Sequence, residues 1–114
     1  MANYGNPEDI NRLNELCERL SKLVSMLRRY GIEAGEAENE YKKALTVEAL
    51  RLKSEGMAIT LIDKVVYGLD AVAEARLKRD TAIASYDALK ENINTTKVLI
   101  RVLENQINRE WQMS

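Results

Sequence analysis

Apolar residues recur along most of this chain at the three- and four-residue spacing of an amphipathic helix. In the first third, the series is Ile10, Leu13, Cys17, Leu20, Val24 and Leu27. In the C-terminal part, the series is Ala75, Ala82, Tyr86, Leu89, Ile93, Thr96, Ile100, Leu103 and Ile107. Both series keep the helical period, and no segment is left over for a strand. The pattern therefore predicts an all-α protein.

The first predicted helix covers residues 7–54, after a loose arm at residues 1–6. Asn6 is a suitable N-cap, and Pro7 stands where the first helical turn would begin. Two interpretations are open for Gly31 and Gly35. The helix either ends at Gly31, with that glycine as a left-handed cap, or continues with a possible break at residues 31–35. We favour the continuous helix, because Glu36 to Lys53 has a strongly helical composition.

A short elbow follows, in which Gly56 is expected to stop the first helix. Thr60 and Asp63 have the spacing of a capping box, which predicts a short helix at residues 60–67 closed by Gly68. Asp70 is expected to cap the last helix, at residues 71–111. Six apolar residues should cover the end of the hairpin at this elbow, namely Met57, Ile59, Leu61, Ile62, Val65 and Val66.

These elements predict one domain, residues 1–114, folded as a long, antiparallel, coiled-coil-like helical hairpin with a short helical elbow. In such a hairpin, Gly31 and Gly35 would lie near Tyr86 and leave room for its ring. Bulky apolar groups surround more than half of the helix near residue 100, which is wider than one neighbouring helix can cover. We therefore expect a homodimer or higher oligomer, assembled as a helical bundle. The predicted interface residues are Val98, Ile100, Val102, Leu103 and Ile107.

Composition narrows the possible chemistry. The chain has 17 basic and 18 acidic residues, no histidine and a single cysteine. Without histidine, the commonest general base and metal ligand is missing, so we predict no catalytic residues, no metal and no cofactor. Cys17 lies on the apolar stripe and is expected to be a buried, inert thiol. No membrane span or secretory signal is evident, which favours a cytoplasmic protein without a membrane partner.

An alternative interpretation of residues 44–79 is a helix-turn-helix that contacts DNA through Arg76, Lys78 and Arg79. Asp70 and Glu74 oppose it, because these acids would face phosphates at the start of the recognition helix. The near-zero net charge also makes nucleic acid the less favoured partner.

Trp111, the only tryptophan, has two interpretations as well. It either packs over the start of the first helix, near Pro7 and Ile10, or is an exposed anchor for a partner, a role in which tryptophan is enriched.

Four segments, "NEYKKAL", "LRLKSEGMAITLIDKVVYG", "RLKRD" and "INTTKVLIRVLENQINREW", carry a resemblance to known proteins. Over Ala37 to Trp111, the chain resembles small helical proteins of unknown function from temperate phages and prophages of Gram-positive bacteria. The resemblance implies a place among early phage genes for replication and recombination, and so a phage replication or recombination protein as a partner. For a phage protein, the cytoplasm expected above would be that of the host cell. The function expected from the sequence is a non-catalytic, oligomeric helical adaptor, and the alternative is a DNA-binding accessory protein.

Overall fold

The computed structural model describes residues 6–113, and nearly all of them are helical. The elements are α1 (Pro7–Ser25), α2 (Leu27–Ser54), α3 (Ile59–Val65), a 3-10 turn (Val66–Gly68) and α4 (Asp70–Met113). No strand occurs in this range, and the prediction of an all-α helical hairpin is confirmed. Residues 1–5 of the predicted arm lie outside the described residues.

The start of α1 follows directly from its sequence. The Asn6 side chain accepts a hydrogen bond from the Glu8 backbone N–H at 2.9 Å, and Pro7 is the first helical residue. Glu8 and Asp9 place two carboxylates in the first turn, near the positive end of the helix dipole. The predicted N-cap is therefore confirmed.

The helix predicted for residues 7–54 is interrupted at Met26, whereas it continues through both glycines. The Met26 N–H bonds to the Leu23 carbonyl at 3.1 Å, a three-residue spacing that tightens the end of α1. A Cβ at Gly31 would lie 3.3 Å from the Tyr86 ring, but nothing lies within 4 Å of one at Gly35. Room for the Tyr86 ring is thus provided by Gly31 alone.

Gly56 ends α2 as predicted, because it adopts a left-handed conformation with φ +89°. The Gly56 N–H bonds to the Lys53 carbonyl at 3.0 Å and the Met57 N–H bonds to the Leu52 carbonyl at 3.1 Å. These are the two hydrogen bonds of a Schellman motif, which satisfies carbonyls that the end of the helix would leave unpaired.

The capping box at Thr60 and Asp63 was a wrong prediction, because α3 begins one residue earlier, at Ile59. Ala58 is extended, and its carbonyl accepts hydrogen bonds from the N–H groups of Leu61 and Ile62, both at 3.0 Å. No side chain caps this helix. The backbone turn after Gly56 therefore sets its start.

The boundary between the 3-10 turn and α4 also differs from the prediction. Gly68 ends the turn without a left-handed conformation, and the extended Leu69 separates the two elements. The Leu69 carbonyl accepts a hydrogen bond from the Ala73 N–H at 2.8 Å. Asp70 is consequently the first residue of α4 rather than its cap.

The chain forms two compact units. The elbow unit is Arg28–Tyr86, and the terminal unit combines the described residues up to Leu27 with those from Asp87 onward. That residues 1–114 form one domain stays a prediction. The core of the elbow unit consists of Tyr41, Leu52, Ile62, Val66 and Val72.

Four of the six predicted elbow residues contribute to this core. Ile62 and Val66 are buried, and Met57 and Val65 pack against them in partly buried positions. Ile59 and Leu61 are instead exposed, because they lie on the outer side of the short α3 helix. The prediction was therefore wrong for these two.

The terminal unit packs α1 against the second half of α4. Its buried residues are Leu16, Leu89, Ile93, Thr96 and Leu103. Cys17 is exposed, which contradicts the buried thiol expected from the sequence. Leu16 occupies the buried position instead. The side of α1 that packs against α4 is therefore centred on Leu16 and not on Cys17.

Candidate interaction surfaces

The second half of α4 carries two sets of side chains on opposite sides. We call the first set the inner seam, and it consists of Leu89, Ile93, Thr96, Ile100, Leu103 and Ile107. Each of these residues is buried or half-buried, and their spacing of three or four residues keeps them on one side of the helix. The inner seam therefore supplies the α4 part of the terminal unit's core.

Polar contacts accompany the inner seam. Thr96 is only 1% exposed, and its hydroxyl donates to the Asn92 carbonyl at 2.7 Å. The Asn92 side chain in turn accepts a hydrogen bond from the Arg19 guanidinium at 3.0 Å. Because Arg19 lies on α1, this hydrogen bond links the two helices of the terminal unit.

The opposite side of α4 is open to solvent. Val98 is 50% exposed, Val102 56% and Leu99 41%. A shallow groove continues along the same side toward the end of the helix, lined by Val102, Asn105, Asn108, Arg109 and Gln112. Large aliphatic side chains that are exposed together on consecutive turns mark a surface that can bind another protein.

The five predicted interface residues are therefore divided between the two sides of α4. Val98 and Val102 lie on the solvent-facing side, where a partner could reach them. Leu103 is buried, and Ile100 and Ile107 are half-buried on the inner seam. Their role as a joint interface stays a prediction, and the structure brings only the two valines together on an accessible face.

The three predicted nucleic-acid contacts have different surroundings. The Arg76 guanidinium donates to the Tyr67 carbonyl at 3.2 Å and so ties α4 to the elbow. The Arg79 guanidinium lies 4.2 Å from the centre of the Tyr41 ring. Lys78 is exposed beside an open groove that also contains Leu77 and Tyr30.

Arg79 also pairs with acids on α2 and on α4. Its guanidinium contacts Asp80 at 2.9 Å and Glu38 of α2 at 3.6 Å. The hydrogen bond to Asp80 is the main reason that the pKa of Arg79 is raised above its ordinary value. These acids offset the positive charge of Arg79 that would attract a phosphate, so the surface around Arg79 is a poor phosphate site.

Trp111 is 41% exposed near the end of α4. That exposure is large compared with 8% for Tyr41 in the elbow core, and it leaves part of the indole accessible to a partner. The role of Trp111 as an anchor stays a prediction.

Residues 6–113 contain no group of three or more acidic or cysteine side chains arranged to hold a metal ion. In the same range, no helix is both long and apolar enough to cross a membrane. Comparisons with protein-family models, with curated proteins and with solved structures found no match to this chain.

Proposed function

We propose that this chain is a non-catalytic helical interaction protein that self-associates through the solvent-facing side of the second half of α4. The observation that carries the proposal is the joint exposure of Val98, Leu99 and Val102, which are between 41% and 56% exposed within two helical turns. Covering these aliphatic side chains would remove apolar surface from water, which is the main favourable term in protein association.

The construction of the terminal unit supports this proposal. Its core is a single line of side chains between two helices, so one side of α4 has no neighbour. Two-helix layers of this kind commonly pair with a second layer to form a four-helix bundle, and two-fold dimers are the commonest small oligomers. A second copy of the chain would complete such a bundle.

Molar mass measured by light scattering across a concentration series tests the proposal. We expect twice the 13.0 kDa of one chain at the highest concentrations. The variant Val98→Asp/Val102→Asp should remain monomeric and keep its helical circular dichroism. The matched control is Val47→Asp/Leu50→Asp, which changes two α2 residues that are 62% and 61% exposed. A wild-type chain that is monomeric at every concentration would contradict the proposal.

A phage origin, a host cytoplasmic location and a partner from a replication or recombination assembly are further parts of the proposal. The phage origin and the partner rest on the resemblance over Ala37–Trp111, and the location also rests on the sequence, in which no membrane span or secretory signal is evident. A photo-crosslinking residue placed at the exposed neighbour Gln112, which leaves Trp111 intact, tests the partner in phage-infected cells. Recovery of a phage replication protein would support an anchor role, and recovery of no partner would remove it.

DNA binding through Arg76, Lys78 and Arg79 is the weaker alternative, because both arginine side chains already contact carbonyl, ring and carboxylate groups of the elbow unit itself. Gel shifts at low salt with duplex and single-stranded DNA test it. Binding that weakens steeply with salt and is lost in Lys78→Glu would favour the alternative.

A further inference from the structure

The solvent-facing side of α4 has a regular spacing that the exposure of its valines alone does not reveal. Six exposed residues follow one another at intervals of four, three, four, three and four positions. We call them the outer seam, and they are Glu91, Thr95, Val98, Val102, Asn105 and Arg109. This is the spacing of the contact positions in a coiled coil.

The outer seam is also nearly the same when it is read in either direction. Val98 and Val102 are equally far from position 100, and the same holds for Thr95 and Asn105 and for Glu91 and Arg109. An aliphatic residue thus mirrors an aliphatic one, a polar residue mirrors a polar one, and an acid mirrors a base.

From this symmetry we infer that a second copy of this chain packs on the outer seam with its α4 antiparallel to the first, about a two-fold axis that passes between the two helices at the level of position 100. The inference rests on the proposed self-association and specifies its register. Val98 of one copy then faces Val102 of the other, and Glu91 faces Arg109, with each contact formed twice because the axis repeats it.

Charge complementarity is the reason to choose a second copy in this orientation. In the antiparallel register, each Glu91 carboxylate meets an Arg109 guanidinium, which forms two ion pairs across the dimer. A parallel arrangement in register would instead place Glu91 beside Glu91 and Arg109 beside Arg109, and like charges that face each other oppose pairing.

The residues beside the outer seam agree with the same axis. Leu99 is 41% exposed and lies next to position 100, so the two copies of Leu99 would meet close to the axis and extend the apolar centre. Arg101 lies on the other flank, where two copies would also approach each other. Its long side chain can keep the guanidinium in water at the rim of the interface.

Charge reversal tests the register. Glu91→Arg and Arg109→Glu each replace two attractive pairs with two repulsive ones, and each should raise the dimer dissociation constant about tenfold or more at low salt. Each variant should recover dimerisation when the two are mixed, because the Glu91→Arg chain then offers two bases to the two acids of the Arg109→Glu chain. The double variant Glu91→Arg/Arg109→Glu should also dimerise as the wild type does.

Two matched controls keep the charge changes but move them off the outer seam. Glu104→Arg and Lys97→Glu alter exposed residues of the same helix, and both should leave the dissociation constant within about twofold of the wild type, since they lie away from the contact. If these controls weaken the dimer as much as the seam variants do, net charge and not register is responsible, and the inference is overturned.

Disulfide trapping tests the orientation independently, in a Cys17→Ser background. Glu91→Cys mixed with Arg109→Cys should cross-link readily, while Glu91→Cys alone should not. The two copies of residue 91 would be eighteen positions apart along the antiparallel pair, about 27 Å at 1.5 Å per residue. Efficient cross-linking of Glu91→Cys alone would instead indicate a parallel pair.

The outcomes separate this inference from the proposal on which it rests. A monomeric wild-type chain overturns both the proposed function and the register. A dimer that Val98→Asp/Val102→Asp disperses, but that neither charge reversal nor mixing affects, leaves self-association through this side of α4 intact and overturns the antiparallel register.

Discussion

The elbow unit and the terminal unit bury their side chains in different ways. In the elbow unit, buried residues from α2, α3, the 3-10 turn and α4 meet in one cluster, which encloses Val72 completely. In the terminal unit, Leu16 of α1 faces a line of residues along one side of α4. A cluster enclosed by several elements needs no further partner, whereas a two-helix layer leaves the other side of each helix available for one.

The largest effect that would disturb the elbow unit comes from Val72→Asp. Val72 is 0% exposed, so the variant places a carboxylate where water cannot reach it. We expect a loss of more than about 3 kcal/mol in the free energy of unfolding, measured by urea denaturation. Val47→Asp, at a position that is 62% exposed, should cost less than about 1 kcal/mol. Equal stability of the two variants would show that the cluster is not enclosed.

In the terminal unit, Leu16→Ala should cost about 3 kcal/mol, because Leu16 is 3% exposed and its removal leaves a cavity between the helices. Hydrogen exchange should become faster along α1. The matched control is the neighbouring Cys17→Ala, which should change stability by less than about 0.5 kcal/mol. If Cys17→Ala lost more stability than Leu16→Ala, the buried side of α1 would be the one that contains Cys17.

The glycines of α2 provide a smaller and more exact test of packing in the elbow unit. Gly35→Ala should stabilise the protein by about 1 kcal/mol, because alanine favours the helix and the new Cβ meets no atom within 4 Å. Gly31→Ala should gain less, because its Cβ would lie 3.3 Å from the Tyr86 ring and the ring would have to move. Melting temperatures compare the two, and an equal gain would show that the ring moves freely.

The smallest effect concerns the exposed thiol of the terminal unit. In the folded protein, Cys17 should react with a small disulfide reagent at nearly the rate found in denaturant, since its side chain is exposed. Labelling should leave the helical circular dichroism unchanged. A thiol that becomes reactive only on unfolding would be inconsistent with this position.

Local patterns were enough to predict the helices and several of their ends. Asn6 and Pro7 act on the backbone next to them, and Gly56 stops α2 because it alone in residues 6–113 takes a left-handed conformation. The interruption at Met26 had no comparable signal, because no glycine or proline lies there. Local chemistry was therefore enough to predict the order of the helices, but not every residue at which they begin and end.

Features that depend on a distant neighbour were the ones that the sequence could not predict. Leu16 and Cys17 are adjacent on one apolar stripe, and only the position of α4 decides which of them is buried. Arg79 looked available for DNA, because its partners Tyr41 and Glu38 lie on another helix. The breadth of the apolar surface near residue 100 predicts a second partner, which stays a prediction, and it could not separate the inner seam from the outer seam.

The left-handed Gly56 also has a consequence for the order of folding. The elbow core is drawn from Tyr41–Val72, so its residues meet after closure of a short loop. In the terminal unit, α1 must instead meet the second half of α4, as in the hydrogen bond between Arg19 and Asn92, which are 73 positions apart. Because loop closure costs more entropy as the loop lengthens, the elbow should act as the folding nucleus. Gly56→Ala should then slow refolding several-fold and leave the unfolding rate nearly unchanged, since the turn is already formed in the transition state. Stopped-flow kinetics in urea would detect the opposite pattern if the two ends of the chain pair first.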